Sequence, residues 1–305
     1  MKGGTMFKHF IHSSLIILSL SIVLIGCNRS LGQPSVDNNF EDIEEKIEIE
    51  KKTEEVKTTQ PEPDNEDNED NENQEKDNKS TDESSENNQN DWVLEEALFT
   101  KVEEIDDLFV ILNPENILTV VNKEKSLPAS YIPEELVPPN VKFIFGDEDI
   151  PKRFIRKDAA IALEQMFYQA EKEGMTLYAV SGYRAYETQQ FLFNNQVRLE
   201  GEEKARQVVA YPGQSEHQTG LAMDISSQSV NFELTEQFGE TLEGDWTKQN
   251  AHKFGFIIRY PKGKETVTGY QYEPWHLRFV GKEIATIIYE HNITLEEYFN
   301  RVKKI

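Results

Sequence analysis

The feature of this 305-residue chain that most limits its fold is a long stretch without any apolar side chain. Residues 57–91 contain none of Ala, Val, Ile, Leu, Met, Phe, Trp, Tyr or Cys, and Asn, Asp and Glu alternate through much of the stretch. Such a segment buries no apolar surface to offset the entropy lost on ordering. We therefore expect residues 28–91 to form a disordered acidic tether and residues 92–305 to fold, with a core at about 118–292.

Most of the negative charge of the chain lies in this tether. The formal net charge is −24, and residues 37–91 alone hold 22 acidic and 6 basic residues. An acidic chain of this kind is not expected to bind nucleic acid, because phosphate contacts need clustered Lys and Arg. The single cysteine excludes a disulfide framework and a cysteine-rich zinc site within one chain.

The N-terminus has the pattern of an export signal. Lys2 and Lys8 precede an apolar run at residues 15–25, which is shorter than the roughly 20 residues of a membrane-spanning helix. The run ends in Leu24-Ile25-Gly26-Cys27, which resembles the bacterial lipoprotein box, where the cysteine becomes the lipid-bearing first residue. We expect residues 1–27 to be a lipoprotein signal peptide, with Cys27 anchoring the domain to the outer side of the cytoplasmic membrane. An uncleaved anchor with a chance cysteine is the alternative.

The pattern after residue 92 predicts an α+β domain. Leu163, Met166, Phe167 and Ala170 recur at helical spacing before Gly174, which predicts a helix over 158–173. Helices come first and strands cluster late, which favours α+β over alternating α/β. The remaining predicted helices are 186–199, 246–254, 282–291 and 295–302, and the predicted strands are 117–121, 177–181, 222–225, 256–258 and 270–280.

Two histidines and one aspartate stand in settings typical of a metal site. Asp224 lies among the apolar residues Ala222, Met223 and Ile225, where a carboxylate would be buried. A buried charge is costly unless it is paired or bound to a metal. If His217 and His276 join Asp224, the three ligands leave one position for water, as in a catalytic zinc site. Pairing of Asp224 with an arginine is the alternative.

Glu273 and Arg184 are the candidates for the remaining chemistry. A metal-bound water needs a carboxylate to take its proton and pass it to the leaving amine. Glu273 precedes His276 by three residues, which in a regular strand places them on opposite faces, but Pro274 predicts a bulge or turn that brings both into one cavity. Arg184 follows a strand end and could fix a substrate carboxylate or stabilise an oxyanion. Alone, each could also be an ordinary surface residue.

Taken together, three short motifs resemble the VanY-type D-alanyl-D-alanine carboxypeptidases and their LD-carboxypeptidase relatives. The likeness runs from about residue 118 to the last helices. The motifs are Ser215-x-His217-x-x-Gly220-x-Ala222-x-Asp224, Glu273-x-Trp275-His276-x-Arg278 and Ser181-Gly182-Tyr183-Arg184.

The resemblance implies a zinc peptidase with one Zn²⁺ in each chain. His217, Asp224 and His276 would be its ligands and Glu273 its general base. By the same likeness Arg184 would stabilise the transition state or bind the terminal carboxylate. Two further positions, Gln189 and Ser215, would contact the peptide.

The fold that the resemblance implies is α+β, with helices packed on a small, mainly antiparallel sheet and the zinc site in a cleft. The implied substrate is a peptidoglycan stem peptide ending in D-alanine, with DD and LD specificity both open, and we expect a monomer. The chain has no Ser-x-x-Lys and no His-Glu-x-x-His motif, which argues against a serine enzyme of the penicillin-binding type and against a zincin. An endopeptidase of the same fold and a non-catalytic lipoprotein that binds wall peptides are the alternatives.

Overall fold

The computed structural model describes residues 92–305. The predicted signal peptide at 1–27, its Cys27 and the predicted tether at 28–91 lie outside the described residues. Within 92–305, no helix combines the length and the hydrophobicity that crossing a lipid bilayer requires.

The described residues form short strands, helices and 3-10 turns in mixed order. The strands are β1 (Val93–Leu94), β2 (Val102–Ile105), β3 (Leu108–Ile111), β4 (Lys125–Ser126), β5 (Leu136–Val137), β6 (Ile155–Arg156), β7 (Tyr178–Ser181), β8 (Ala222–Ser226), β9 (Phe256–Tyr260), β10 (Glu273–Phe279) and β11 (Lys303–Lys304). The α-helices are α1 (Lys157–Lys172), α2 (Tyr186–Glu200), α3 (Glu202–Val208), α4 (Leu242–Asn250), α5 (Glu265–Thr268), α6 (Lys282–Glu290) and α7 (Leu295–Phe299). The 3-10 helices are Glu96–Leu98, Pro151–Arg153, Glu216–Thr219, Gln228–Val230, Glu236–Glu240 and Ala251–Phe254.

The central element is a four-stranded antiparallel sheet with the strand order β7-β8-β10-β9. His276 of β10 pairs with Asp224 of β8, and the next residue, Leu277, pairs with Met223. Paired residues share a face and successive residues alternate. One face therefore carries His276 and Asp224, and the opposite face carries Leu277 and Met223. The predicted α+β class with helices on a small antiparallel sheet is confirmed.

The apolar face of this sheet packs against α1. Leu163 and Met166 of α1 are fully buried in one cluster with Met223 and Leu277. The helix begins one residue before the predicted 158 and ends at Lys172, because Gly174 takes a positive φ of 82°. Each such buried side chain contributes about 1.5–3 kcal/mol to the free energy of unfolding. The packing of α1 on this face therefore stabilises the sheet whose opposite face carries Asp224 and His276.

A second apolar cluster joins the two ends of the described chain. Leu94 is buried with residues of α6 and α7, among them Ile284 and Tyr298. β1 pairs in parallel with β11, and Thr294 starts α7 with a capping box. The buried residues thus extend beyond 118–292 at both ends.

Residues 117–121 do not form the predicted strand, although Leu118 and Val120 are buried. Their backbone groups bond to side chains instead of to a neighbouring strand. The carbonyl oxygens of residues 117 and 119 accept from the guanidinium of Arg278, and the Val120 N–H donates to Thr100 Oγ1. The prediction rested on β-branched composition, which does not specify the partner.

The other differences between the predicted and the observed helices and strands are local. α4 begins at Leu242 rather than 246, because Thr241 Oγ1 accepts from the Gly244 N–H and caps the helix earlier. For residues 270–280 the sequence predicts one or two strands broken at Pro274; the structure has one strand, β10 (Glu273–Phe279), with a register shift between Glu273 and Leu277. The chain also forms α3 and the β2–β3 hairpin, which the apolar pattern did not predict. Both residues of that hairpin turn, Asp106 and Asp107, have positive φ.

Candidate metal centre

The antiparallel pairing of β8 with β10 places Asp224 and His276 side by side, and the 3-10 helix Glu216–Thr219 brings His217 to them. His217 Nε2 lies 3.2 Å from Asp224 Oδ2, and His276 Nδ1 lies 2.9 Å from Asp224 Oδ1. One ligand atom from each of the three residues lies within 4.8 Å of the others, and all three side chains are buried. The structure thus brings together the three residues that the sequence predicts as metal ligands.

The remaining ring nitrogens of both histidines face acceptors. His217 Nδ1 lies 2.8 Å from the carbonyl oxygen of Gly182, and His276 Nε2 lies 3.3 Å from Glu216 Oε2. Because each acceptor takes an N–H, the nitrogens that face Asp224, His217 Nε2 and His276 Nδ1, are the ones available to a metal ion, which would displace any proton they carry. Metal-binding histidines are held in this way by a partner on the other ring nitrogen.

Gly182 packs closely against the backbone of residues 152–154 because it has no side chain. A Cβ at this position would lie 2.4 Å from the carbonyl oxygen of Phe154 and 2.9 Å from that of Lys152. Both are backbone atoms and cannot move aside easily. The glycine of the Ser181-Gly182-Tyr183-Arg184 motif therefore allows the strand end to pack against residues 152–154, where its carbonyl oxygen contacts His217 Nδ1.

The charges of the cluster favour a bound cation. Burial opposes ionisation of Asp224, but His217 and His276 outweigh it and hold the pKa of its carboxyl well below the usual range. Burial lowers the pKa of His276, yet hydrogen bonds to Asp224 and Glu216 outweigh this effect and raise it to about 10. Burial lowers the pKa of His217 despite Asp224. The cluster thus holds either a proton or a metal ion that displaces it, and two imidazole nitrogens with one carboxylate fit a divalent metal.

Glu273 stands beside this donor set. Glu273 pairs with Tyr260 and Leu277 pairs with Ile258, so β10 has extra residues at Pro274 and bulges there. The bulge brings Glu273 Oε2 to 3.8 Å from His276 Nδ1. The predicted convergence of Glu273 and His276 is therefore present.

The environment of Glu273 suits proton transfer at neutral pH. Withdrawal from water is the main cause that raises the pKa of its carboxyl to about 7; His276 opposes the rise, and Asp224 and Glu216 add to it. A carboxyl whose pKa lies near the working pH can both accept and release a proton. Its side chain keeps 26% of its surface exposed, so it also borders solvent.

Arg184 is held by hydrogen bonds to two neighbouring side chains. The Arg184 guanidinium donates to Gln189 Oε1 at 3.1 Å and to Ser181 Oγ at 3.4 Å, which are neutral oxygens. Gln189 is 1% exposed and donates its own N–H to the carbonyl oxygen of Ala210 at 2.7 Å. Both ends of its amide are therefore used inside the protein. Ser215 is buried and begins the 3-10 helix that carries His217.

The sequence pattern did not predict a buried charge network that lies beside the three candidate ligands. Glu216 Oε1 accepts from Arg259 Nε at 2.8 Å and from Arg278 Nη1 at 2.6 Å. Burial opposes ionisation of Glu216, but the two arginines outweigh it and hold its pKa well below the usual range. One signal was available, because Arg278 follows His276 by two residues and so shares its face of the strand.

A small α+β domain with two imidazoles and one aspartate around a common point, and a glutamate next to them, has the design of a metallopeptidase. The family model described as VanY, D-alanyl-D-alanine carboxypeptidase, matches residues 152–282. The chain belongs to this family, and it is an enzyme of the metallo-carboxypeptidase class.

The individual relatives agree with this assignment. YodJ of Bacillus subtilis (strain 168), which carries the provisional name of a carboxypeptidase, is 57% identical over 216 residues, 71% of this chain and 79% of that protein. A D-alanyl-D-alanine carboxypeptidase of Enterococcus faecalis (strain ATCC 700802 / V583) is 34% identical over 68% of this chain and 73% of its own length. The solved structure of the LdcB LD-carboxypeptidase is 58% identical, covers 70% of this chain and 100% of that chain, and superposes with a TM-score of 0.69.

Proposed function

We propose that the protein is a zinc-dependent carboxypeptidase that removes the C-terminal D-alanine from peptidoglycan stem peptides. The observation that carries this proposal is the convergence of His217, Asp224 and His276, with Glu273 at 3.8 Å from His276 Nδ1. The names of the relatives supply the substrate class: one is a D-alanyl-D-alanine carboxypeptidase, and the LdcB structure is described in terms of peptidoglycan recognition.

The metal would be held by three side chains of this chain. His217 Nε2, His276 Nδ1 and the Asp224 carboxylate offer the nitrogen and oxygen donors that zinc takes in catalytic sites, and three protein ligands leave one position open. When bound there, zinc would lower the pKa of a water to about 7 and polarise a substrate carbonyl. The buried partners of both rings, Gly182 and Glu216, hold the opposite ring nitrogens and so orient the donor nitrogens, from which the metal would displace any proton.

Glu273 moves the proton in this mechanism. Its carboxylate takes a proton from the attacking water at one of its oxygens and then delivers that proton to the nitrogen of the departing D-alanine. In the metal-free protein, withdrawal from water raises the pKa of this carboxyl to about 7, and a raised pKa makes the carboxylate a better proton acceptor. The bulge at Pro274 is what turns the carboxylate toward the reacting atoms instead of toward the opposite face of the sheet.

Arg184 binds the negative charge of the substrate. Its guanidinium, held by the neutral oxygens of Gln189 and Ser181, stays free to pair with the terminal carboxylate or to stabilise the oxyanion. Gln189 accepts from Arg184 and so orients it, and the predicted contact of Gln189 with the peptide stays part of this proposal. Ser215 lies at the start of the helix that carries His217, where it borders the peptide.

We also propose that the enzyme works outside the cytoplasm, anchored by lipid on Cys27 and spaced from the membrane by residues 28–91. The basic and apolar N-terminal pattern and Leu24-Ile25-Gly26-Cys27 support this location. The mass of the N-terminal peptide of the cellular protein tests it. We expect a peptide that starts at a diacylated Cys27, whereas an unmodified cysteine would contradict the lipid anchor.

The activity itself predicts a clear assay result. The purified protein is expected to release free D-alanine from tetrapeptide or pentapeptide stems, and a chelator should abolish release until Zn²⁺ is restored. Mass analysis of the products from both stem lengths assigns LD or DD specificity. Release that persists with chelator would contradict the metal mechanism. Fragments cut inside the stem would indicate an endopeptidase, and binding without cleavage would indicate a binding protein.

A further inference from the structure

The most deeply buried charges of the domain lie next to the metal-binding residues rather than among them. Glu216 is 1% exposed, and Arg259 and Arg278 are 0% exposed. Removing such charges from water has an effective penalty of several kcal/mol for each ion. Three charges at this depth therefore need close pairing, and both arginines donate to the same oxygen, Glu216 Oε1.

The two arginines fix what Glu216 can do with its other oxygen. A guanidinium only donates hydrogen bonds, so the carboxyl beside two of them is held as an ionised acceptor. Its free oxygen, Oε2, lies 3.3 Å from His276 Nε2. That nitrogen therefore donates to Glu216, and the ring presents its other nitrogen, Nδ1, to the donor group, 2.9 Å from Asp224 Oδ1.

The arginines are themselves fixed by other elements. Arg259 on β9 pairs with Glu296 of α7 through both terminal nitrogens, at 2.9 Å and 2.5 Å. Arg278 donates to the backbone carbonyl oxygens of residues 117 and 119 at 2.9 Å and 2.8 Å. The two guanidinium groups are therefore held in place by α7 and by the segment before β4. Because they are held, they fix the position of the Glu216 carboxylate.

We propose that Glu216 is a positioning residue for the metal site: locked by Arg259 and Arg278, its carboxylate sets the tautomer and ring orientation of His276 and thereby the metal affinity. This inference rests on the proposed function, in which His276 is a ligand. It goes beyond the three ligands and the general base, because Glu216 lies outside the three-residue donor group. Losing such a partner typically weakens metal affinity by about 10–100-fold.

The substitution Glu216→Gln tests the inference sharply. In the glutamine, the amide oxygen must face the arginine donors, so the NH₂ group faces His276 Nε2. An N–H donor there requires a lone pair on Nε2 and moves the ring proton to Nδ1, where it competes with the metal. We expect Zn²⁺ affinity, measured by competition with a chromophoric chelator, to fall by about 10–100-fold.

The matched control is Glu296→Gln. It weakens the same network at Arg259 but has no contact with His276. We expect both variants to lower the thermal stability of the metal-free protein, and only Glu216→Gln to lower Zn²⁺ affinity. A purely structural role would make both variants alike in affinity, and that result would overturn the inference.

Two further outcomes are decisive. If Glu216→Gln does not fold, Glu216→Asp is the second variant. It keeps the charge but shortens the side chain by one methylene, so we expect it to fold and to lose Zn²⁺ affinity. Parental Zn²⁺ affinity in Glu216→Asp would overturn the inference. If the parent protein and Glu216→Gln bind Zn²⁺ with equal affinity, that result overturns this inference but leaves the proposed function standing. A parent protein that binds no Zn²⁺ overturns the proposed function, and this inference with it.

Discussion

Replacing Glu273 by glutamine is expected to lower the turnover number by about 10²–10⁴-fold, the range that positioned acid–base groups contribute, while Zn²⁺ binding persists. The glutamine has nearly the same shape, so the bulge in β10 remains, but its amide cannot take a proton from water. Glu273 stands 3.8 Å from His276 Nδ1 and outside the three-residue donor group. The measurement is steady-state release of D-alanine together with the zinc content of the same preparation.

The control for this variant is an acid of the same type on the surface. Glu203 of α3 is exposed and belongs to neither the donor group nor the buried network, so Glu203→Gln should keep the parental rate. Parental turnover in Glu273→Gln would show that another group is the base. Loss of zinc from Glu273→Gln would show instead that Glu273 is a metal ligand.

Replacing His276 by alanine is expected to abolish both zinc binding at one equivalent per chain and D-alanine release. The substitution removes one of three donors and leaves two carboxylates, Asp224 and Glu216, without the imidazole that contacts both. Breaking buried charge pairs in this way costs about 3–5 kcal/mol, so the metal-free variant should also unfold at lower denaturant concentration. Native mass spectrometry and a denaturant titration measure the two effects.

A second histidine gives the matched control. His252 stacks on Tyr289 with ring centroids 3.7 Å apart and is not part of the donor group. His252→Ala should therefore keep one zinc per chain and the parental turnover, although it loses some packing. If His276→Ala retained its zinc and its activity, the ligand set would have to be reassigned.

The sequence predicted those parts of the site that local pattern determines. A carboxylate inside the apolar run around Asp224 is costly without a cation, and Pro274 next to Glu273 indicated a bulge; the structure places both residues beside His276. The helices α1 and α2 followed from apolar spacing and from the glycines that end them.

What the sequence did not predict depends on contacts between distant segments. The pairing of Glu216 with Arg259 joins residues 43 positions apart, and it exists because β9 lies next to β10. Strand order is not encoded in period-two spacing, which relates only residues of one strand. For the same reason the pattern of residues 117–121 predicts a strand, whereas in the structure a distant side chain, Arg278, donates to the carbonyl oxygens of residues 117 and 119. The short helix α3 buries only Ala205 and so leaves no apolar pattern to detect.

The most direct test of this account is the position of the metal itself, seen by anomalous X-ray scattering at the zinc edge in crystals of the zinc-loaded protein. The account predicts one peak, about 2.0–2.1 Å from His217 Nε2 and from His276 Nδ1 and about 2.0–2.2 Å from an oxygen of Asp224, with Glu273 near the peak but not bonded to it. A peak bound elsewhere in the chain, or coordination through His217 Nδ1 or His276 Nε2, would contradict it.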